Sequence, residues 1–165
     1  MKVGMREILF KAKRIDNSKW IEGSVINLDP DSGYCYIVPM CEGASTLPVK
    51  ALITSEMELV DPETLCQFTG LCDKNGKKIW KNDILMCHGN SEDLVKAVFG
   101  EFDVRNIETG SIVDRVIGWH YEVIYTDELS RTEPFCYSMP LTKEYIKKLE
   151  MEVVDNPELL QEVPK

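Results

Sequence analysis

The sequence predicts a mainly β protein with one C-terminal helix. Short runs in which apolar and polar residues alternate recur along the chain, as expected of strands that each bury one face. Turn-forming residues separate these runs at close intervals, which favours hairpins over long helices. Apolar residues at helical spacing occur near the C-terminus, where Tyr145, Ile146, Leu149 and Val153 form a stripe.

The N-terminal residues 1–60 are interpreted as a β subdomain that begins with a hairpin. This hairpin presents an alternating edge with Phe10 and Trp20, and its lysines would protect that edge. Because an isolated hairpin is marginal in water, we expect it to pack on the following subdomain or on another copy of the chain. The two hairpin strands, the next turn and a third strand are predicted at residues 7–13, 20–28, 29–33 and 34–38.

Residues 61–126 are interpreted as a small, strongly bent β-barrel. Asn75-Gly76, placed between apolar runs, is the strongest short-range hairpin signal and predicts a type I′ turn with positive φ at both residues. Four or five short strands are expected in the remainder of this segment, with a break at Gly100 and a turn at Gly110. Short strands at this spacing are typical of small barrels.

Residues 127–165 are predicted to supply a loop, a helix and a tail that pack on the barrel. Thr142 is a good N-cap residue, and Leu141 and Ile146 stand at the spacing of a hydrophobic staple. The helix is therefore predicted over residues 143–150.

Composition and charge exclude several classes of protein. The chain has 165 residues and a net charge of −9, which disfavours a general nucleic-acid coat or an anionic membrane as partner. No apolar run approaches the roughly 20 residues of a membrane-spanning helix, and the N-terminus lacks the apolar segment of a signal peptide. We therefore expect a cytoplasmic protein without a membrane partner.

The six cysteines are expected to be reduced thiols. No C-x-x-C motif occurs, and the pairs Cys35/Cys41 and Cys66/Cys72 are each six residues apart, wider than the usual zinc spacing. No phosphate-binding loop or dinucleotide fingerprint is present either. The sequence thus predicts neither a metal site nor a cofactor.

Three segments carry a family resemblance. Residues 5–12 read MREILFKA, residues 67–85 read QFTGLCDKNGKKIWKNDIL, and residues 156–160 read NPELL. In this order and spacing they resemble the YopX-like family of phage and prophage proteins. The family signature has Gly-Asp-Ile where this chain has Asn82 followed by Asp-Ile. Because asparagine tolerates positive φ better than most residues, we expect Asn82 to keep the same turn.

The resemblance implies two packed β subdomains, the second similar to an SH3-like barrel, and a tendency to self-associate. It implies no established enzymatic activity and supplies no catalytic residues. Our main hypothesis is therefore a non-enzymatic module that binds another protein of the phage or the host, or that forms a homo-oligomer.

The central signature has a local physical interpretation as a determinant of the fold. Ile79 and Ile84 are expected to face inward, Trp80 to be covered, and Asp83 to cap the N–H groups of a turn. The signature residues are Gln67, Thr69, Gly70, Leu71, Asp73, Asn75, Gly76, Trp80 and Asp83.

Two alternative functions remain open. The first is nucleic-acid binding by a basic patch next to Trp80, because basic and aromatic residues together bind single strands by charge and stacking. The patch comprises Lys74, Lys77, Lys78 and Lys81.

The second alternative is an enzyme of unrecognised type, for which the residues available are His88, His120, Cys87 and Cys136. No nucleophile motif flanks either cysteine, which makes this the least favoured hypothesis. A polar cleft that holds His120 next to a cysteine or an aspartate would favour it.

Overall fold

The computed structural model describes residues 7–27, 30–39 and 57–154, and these residues are mainly β. The predicted fold class is confirmed in this respect. The chain divides into two compact units, Met1–Gly70 and Leu71–Lys165. The division into residues 1–60, 61–126 and 127–165 stays a prediction. The closing motif at 156–160 and the first two residues of the opening motif lie outside the described residues.

The first unit is built on an antiparallel sheet. The order of its strands is β4-β3-β2-β1-β5, and β5 crosses the boundary between the units and is followed in the sheet by β6. Ala12, Cys35, Ile37 and Val60 form the buried cluster of this unit. The strands are β1 Phe10–Lys13, β2 Trp20–Ile26, β3 Cys35–Pro39, β4 Glu58–Val60, β5 Cys66–Cys72 and β6 Lys78–Trp80.

The N-terminal hairpin is an interior part of this sheet, so its interpretation as an exposed edge is wrong. β1 pairs with both β2 and β5, and β2 pairs with both β1 and β3, so each strand has a hydrogen-bonded neighbour on either side. Phe10 is half-buried against the core cluster. Trp20 is 51% exposed, with the Nζ atoms of Lys11 and Lys13 5.1 and 5.5 Å from its ring centroid.

The second unit contains an antiparallel sheet in the order β10-β9-β8-β7-β11. Its end strands are not paired with each other, and no closed barrel is found in the described residues, so the SH3-like barrel is not confirmed. The strands are β7 Ile84–Cys87, β8 Asn90–Arg105, β9 Ile112–Val123, β10 Met139–Pro140 and β11 Glu152–Val153.

β8 and β9 form one long two-stranded ribbon where several short strands were expected. The predicted break at Gly100 is wrong, because Gly100 stands opposite Gly118 in a ladder that continues on both sides. Two glycines without side chains therefore face each other in extended conformation and do not interrupt the pairing. The predicted turn at Gly110 is present, with φ 69° at this residue.

The predicted C-terminal helix is confirmed as α1, Lys143–Lys148. The Thr142 side chain accepts a hydrogen bond from Tyr145 N at 3.2 Å, as an N-cap does. Leu141 and Ile146 are each 5% exposed. The core of this unit comprises Ile79, Leu85, Cys87, Val95, Ala97, Tyr121, Leu141, Ile146 and Met151. Among the described helices, none has the length and hydrophobicity that crossing a membrane requires.

Candidate functional site

The signature hairpin comprises β5, β6 and the turn between them at residues 73–77. This turn is not of type I′. Gly76 N donates to Asp73 O at 3.0 Å, and φ is positive at Gly76 (83°) but not at Asn75. These are the features of a type I turn followed by a glycine in the left-handed region. The Asp73 side chain explains the difference, because its Oδ1 accepts from Asn75 N at 2.8 Å and from Lys77 N at 2.9 Å. Such an aspartate-capped turn holds Asn75 at negative φ.

Asp73 also ties this hairpin to the C-terminal strand. It is 7% exposed, and its Oδ2 accepts from Val153 N in β11 at 2.9 Å. The next residue, Lys74, donates its backbone N–H to Met151 O at 3.0 Å. One buried carboxylate thus satisfies three backbone donors, the most distant of them 80 residues away along the chain. This arrangement supports a role of Asp73 in the fold.

The turn that follows β6 is capped as the sequence predicts. Asp83 Oδ2 accepts from Trp80 N at 2.8 Å. Asn82 has φ 71°, so asparagine does occupy the left-handed conformation at the position where the family has glycine. Its N–H donates to Ala97 O at 2.7 Å, which anchors the turn to β8. Ile79 is fully buried and Ile84 is half-buried.

Four further signature residues lie within β5. Thr69 is 4% exposed, Gln67 is half-buried, and Leu71 packs against the core of the second unit. Gly70 has φ 85° within the strand, a conformation that residues with a side chain rarely adopt. This position therefore has a local reason to be glycine.

The four lysines of the predicted basic patch are not equivalent. Lys74 Nζ lies 2.9 Å from Glu152 Oε2. This hydrogen-bonded ion pair raises the pKa of Lys74 and lowers the pKa of Glu152. Lys77 and Lys81 are exposed, whereas Lys78 is half-buried with its Nζ 5.7 Å from the centroid of the Trp80 ring.

The Trp80 ring does not form the surface for base stacking that the nucleic-acid hypothesis needs. Trp80 is 4% exposed, so its faces are covered by the protein. Base stacking on an aromatic side chain requires an open ring face. Nucleic-acid binding by the four lysines stays a prediction.

His120 lies in a polar cleft of about 360 Å³ that Asp103 and Cys136 also line. The imidazole is 3% exposed and stacks on Phe102, with the ring centroids 4.4 Å apart. Its Nδ1 is 3.1 Å from Gly118 O. Within the described residues, no hydrogen bond joins the imidazole to Cys136 or Asp103, so the nucleophile–base pair of a thiol enzyme is not formed.

The other candidate ligands and nucleophiles are dispersed. His88 lies in the turn between β7 and β8 at φ 52°. Cys87 is 1% exposed, and burial raises the pKa of its thiol to about 12. Cys41 lies outside the described residues, and the cysteines within them are free thiols. Among the described residues, no group of three or more His, Cys, Asp and Glu side chains is placed to hold a metal ion.

The β8–β9 ribbon carries an exposed apolar surface that sequence reasoning missed. Phe99 is 50% exposed, and Ile117 is 74% exposed. Phe99 stands opposite Trp119, and their rings meet edge to face at 5.1 Å. Strand alternation places Ile117 on the same side as Trp119. We define the ribbon face as Phe99, Glu101, Asp103, Arg115, Ile117 and Trp119, which form three successive cross-strand pairs.

Charges of both signs accompany the apolar residues of the ribbon face. Arg115 Nε lies 2.8 Å from Asp103 Oδ1 and 3.5 Å from Glu101 Oε1. The hydrogen bond to Asp103 raises the pKa of Arg115. Because the Arg115 side chain is 61% exposed, these salt bridges contribute little to stability. They nevertheless determine where the positive and negative charges lie along the ribbon.

Comparison with known proteins agrees with the signature. No curated protein matches the chain. A family model, described as YopX protein, matches residues 9–136. This match covers most of the chain and includes both the signature hairpin and the ribbon. The chain therefore belongs to the YopX protein family.

Proposed function

We propose that this YopX-family protein is a non-enzymatic phage or prophage protein that works in the cytoplasm of the bacterial host by associating with a second copy of itself. The observation that carries the proposal is the ribbon face, on which Phe99 and Ile117 are 50% and 74% exposed. Large apolar side chains grouped on one exposed face are typical of interaction sites. The self-association implied by the family resemblance points to the same function.

Charge complementarity favours a second copy as the partner. The ribbon face carries Arg115 together with Glu101 and Asp103, so it offers both signs of charge within two strand pairs. A two-fold axis brings the same patch of two copies together, which places the arginine of one copy near the acidic residues of the other. Apolar contact between the copies would then centre on Ile117.

Sedimentation equilibrium at micromolar concentrations tests this proposal. We expect the wild-type chain to sediment as a multiple of 18.9 kDa. Ile117→Asp should shift that multiple towards monomer, because it places a charge in an apolar contact. The matched control is Ile8→Asp, whose side chain is 67% exposed in the first unit and lies off the ribbon face.

Two results would contradict the proposal. One is a wild-type chain that stays at 18.9 kDa throughout the concentration range. The other is an Ile117→Asp variant that associates as the wild type does. Circular dichroism of both variants establishes that any change is not a loss of folding, as expected for substitutions at exposed positions.

Nucleic-acid binding is the second candidate function, favoured by the exposure of Lys77 and Lys81 on the signature hairpin. Its test is binding of a single-stranded oligonucleotide at about 0.15 M salt, compared with the double variant Lys77→Glu and Lys78→Glu. We expect no tight binding by either protein. Tight binding that the double variant loses would establish this function instead.

An enzyme is the third candidate, favoured by the polar cleft that holds His120 with Asp103 and Cys136. A reactive thiol would be trapped by an electrophilic probe at a rate that depends on the imidazole. We expect Cys136 to react at the rate of an ordinary thiol and His120→Asn to leave that rate unchanged. A fast reaction that the variant abolishes would favour the enzyme.

A further inference from the structure

The second unit contains a cavity of about 390 Å³ that includes no residue of the ribbon face and borders the polar cleft at Tyr137. Tyr121 and Val123 of β9, Tyr145 of α1 and Phe135 of the preceding loop contribute to its largely apolar and aromatic lining. This volume lies within the range of pockets that bind small molecules, which is roughly 300–1,000 Å³. The cavity is therefore large enough for a small organic ligand.

Tyr121, which lines this cavity, has a hydroxyl with no hydrogen-bond partner among the described residues. Tyr121 is 6% exposed, and its ring meets Tyr145 edge to face at 6.3 Å. No described residue forms a hydrogen bond with its hydroxyl. A tyrosine hydroxyl in a largely apolar lining gains free energy when it acquires a hydrogen-bond partner. The hydroxyl is thus a polar group that a ligand in the cavity would satisfy.

Three carboxylates line the same cavity, those of Glu92, Asp93 and Asp127. Asp93 of β8 is half-buried, and no described residue donates a hydrogen bond to its side chain. Asp127 also lines the cavity and accepts from Ser130 N at 2.7 Å through Oδ1. The remaining lining residues that can ionise are Glu92, His88, Cys87 and the tyrosines Tyr121, Tyr137 and Tyr145. Burial raises the pKa of Asp93, while His88 lowers it and Asp127 raises it.

We propose that this cavity binds a small primary amine with an apolar body. The ammonium group would donate to the Asp93 carboxylate and to the Tyr121 hydroxyl oxygen, and the apolar body would contact Val123, Phe135 and Tyr145. An anionic ligand is disfavoured, because it would meet three carboxylates in a partly desolvated place. A neutral apolar ligand would leave both polar groups without a partner.

The chemistry of the lining also disfavours a bare cation. Calcium takes six to eight oxygen ligands, whereas this lining is mainly apolar, and none of the clusters among the described residues is suited to a metal ion. An alkyl ammonium instead combines one charge with an apolar surface. It also suits the aromatic rings, since tyrosine and phenylalanine attract cations over their faces.

The experiment compares three probes of one size on the full chain. Binding of n-hexylamine, 1-hexanol and hexanoate is followed by NMR titration. We expect the amine to bind roughly tenfold more tightly than the alcohol, and hexanoate to bind least, because a hydrogen bond between charged groups is worth more than a neutral one. Equal affinities for amine and alcohol would overturn the proposal and leave only an apolar cavity.

Variants locate the contacts. Asp93→Asn should weaken binding of the amine roughly tenfold and leave that of the alcohol unchanged, and Tyr121→Phe should weaken the amine by a few fold. Glu63→Gln, an exposed carboxylate of the first unit, is the control and should change neither affinity. Amine binding that survives Asp93→Asn would refute the proposed contact. The comparison of probes uses the wild-type chain, so it decides the matter even if a variant fails to fold.

Discussion

Replacing Asp73 with alanine removes the carboxylate that joins the signature hairpin to β11. Its two oxygens accept three backbone hydrogen bonds, from Asn75 N at 2.8 Å, Lys77 N at 2.9 Å and Val153 N at 2.9 Å. Asp73 is 7% exposed, so its carboxylate is buried, whereas two of its donors belong to exposed turn residues. Alanine leaves all three N–H groups without this acceptor.

The expected loss of stability follows from where those donors lie. The N–H groups of Asn75 and Lys77 belong to exposed turn residues that water can reach, so each costs about 1 kcal/mol. Val153 is half-buried in β11, and its unsatisfied N–H costs about 1–3 kcal/mol. Because the three bonds share one side chain, their contributions are not independent, and we expect about 3 kcal/mol in total.

Urea unfolding followed by tryptophan fluorescence measures this loss. Trp80 is 4% exposed in the same unit and reports on its unfolding. With a typical denaturant slope of about 2 kcal/mol/M, the midpoint should fall by roughly 1.5 M. Glu108→Ala, at an exposed position of the ribbon turn, is the control and should change stability by less than about 0.5 kcal/mol. A loss below about 1 kcal/mol for Asp73→Ala would refute the reasoning.

The remaining predictions concern backbone strain and one ion pair. Gly76→Val should cost about 1–3 kcal/mol in urea unfolding, because φ is 83° there although the space around a Cβ is open; an unchanged midpoint would contradict this. Asn82→Ala should cost about 1 kcal/mol while Asn82→Gly stays within about 0.5 kcal/mol, because φ is 71°; equal effects would speak against strain. In an NMR titration, Lys74→Met should raise the pKa of Glu152 towards its ordinary value, whereas Lys148→Met should not. Since the folded-state pKa of Glu152 is lowered, the stabilisation from this pair is present above its unfolded pKa and should disappear as the pH falls through the folded value.

Features determined by neighbouring residues were predictable from the sequence. The N-cap at Thr142, the Asp83 cap and the positive φ of Asn82 each depend on a few adjacent residues, and each is found as expected. Alternation likewise identified the mainly β class, because burial of one face imposes a period of two on each strand.

Features that depend on distant residues were not predictable. The hydrogen bond from Val153 N to the Asp73 carboxylate joins residues 80 positions apart, and nothing in the signature indicates it. The hairpin β1–β2 was taken for an edge because nothing in its own residues reveals that β3 and β5 pair on either side. Strand neighbours of this kind are determined by the whole sheet.

The ribbon face and the cavity around Tyr121 were likewise not predictable from the sequence. Ile117 lies in the apolar run of β9, where residues on both faces are apolar, so the sequence does not indicate which face stays uncovered. The cavity around Tyr121 draws its lining from β8, β9, α1 and the loop before α1, which meet only in the folded chain. In β8, by contrast, Phe99 is followed at alternate positions by Glu101 and Asp103. These charges indicate that the side of β8 that carries Phe99 is exposed to solvent.

The most direct test of the account is an isotope-filtered NOE experiment between copies of the chain. Protein labelled with ¹³C at isoleucine methyl groups is mixed with unlabelled protein at a concentration where sedimentation shows association. Ile117 is 74% exposed on the ribbon face, so its methyl group should show intermolecular NOEs to the aromatic protons of Phe99 or Trp119. An associated protein whose intermolecular NOEs arise only from isoleucines off the ribbon face, such as Ile8, would contradict the account.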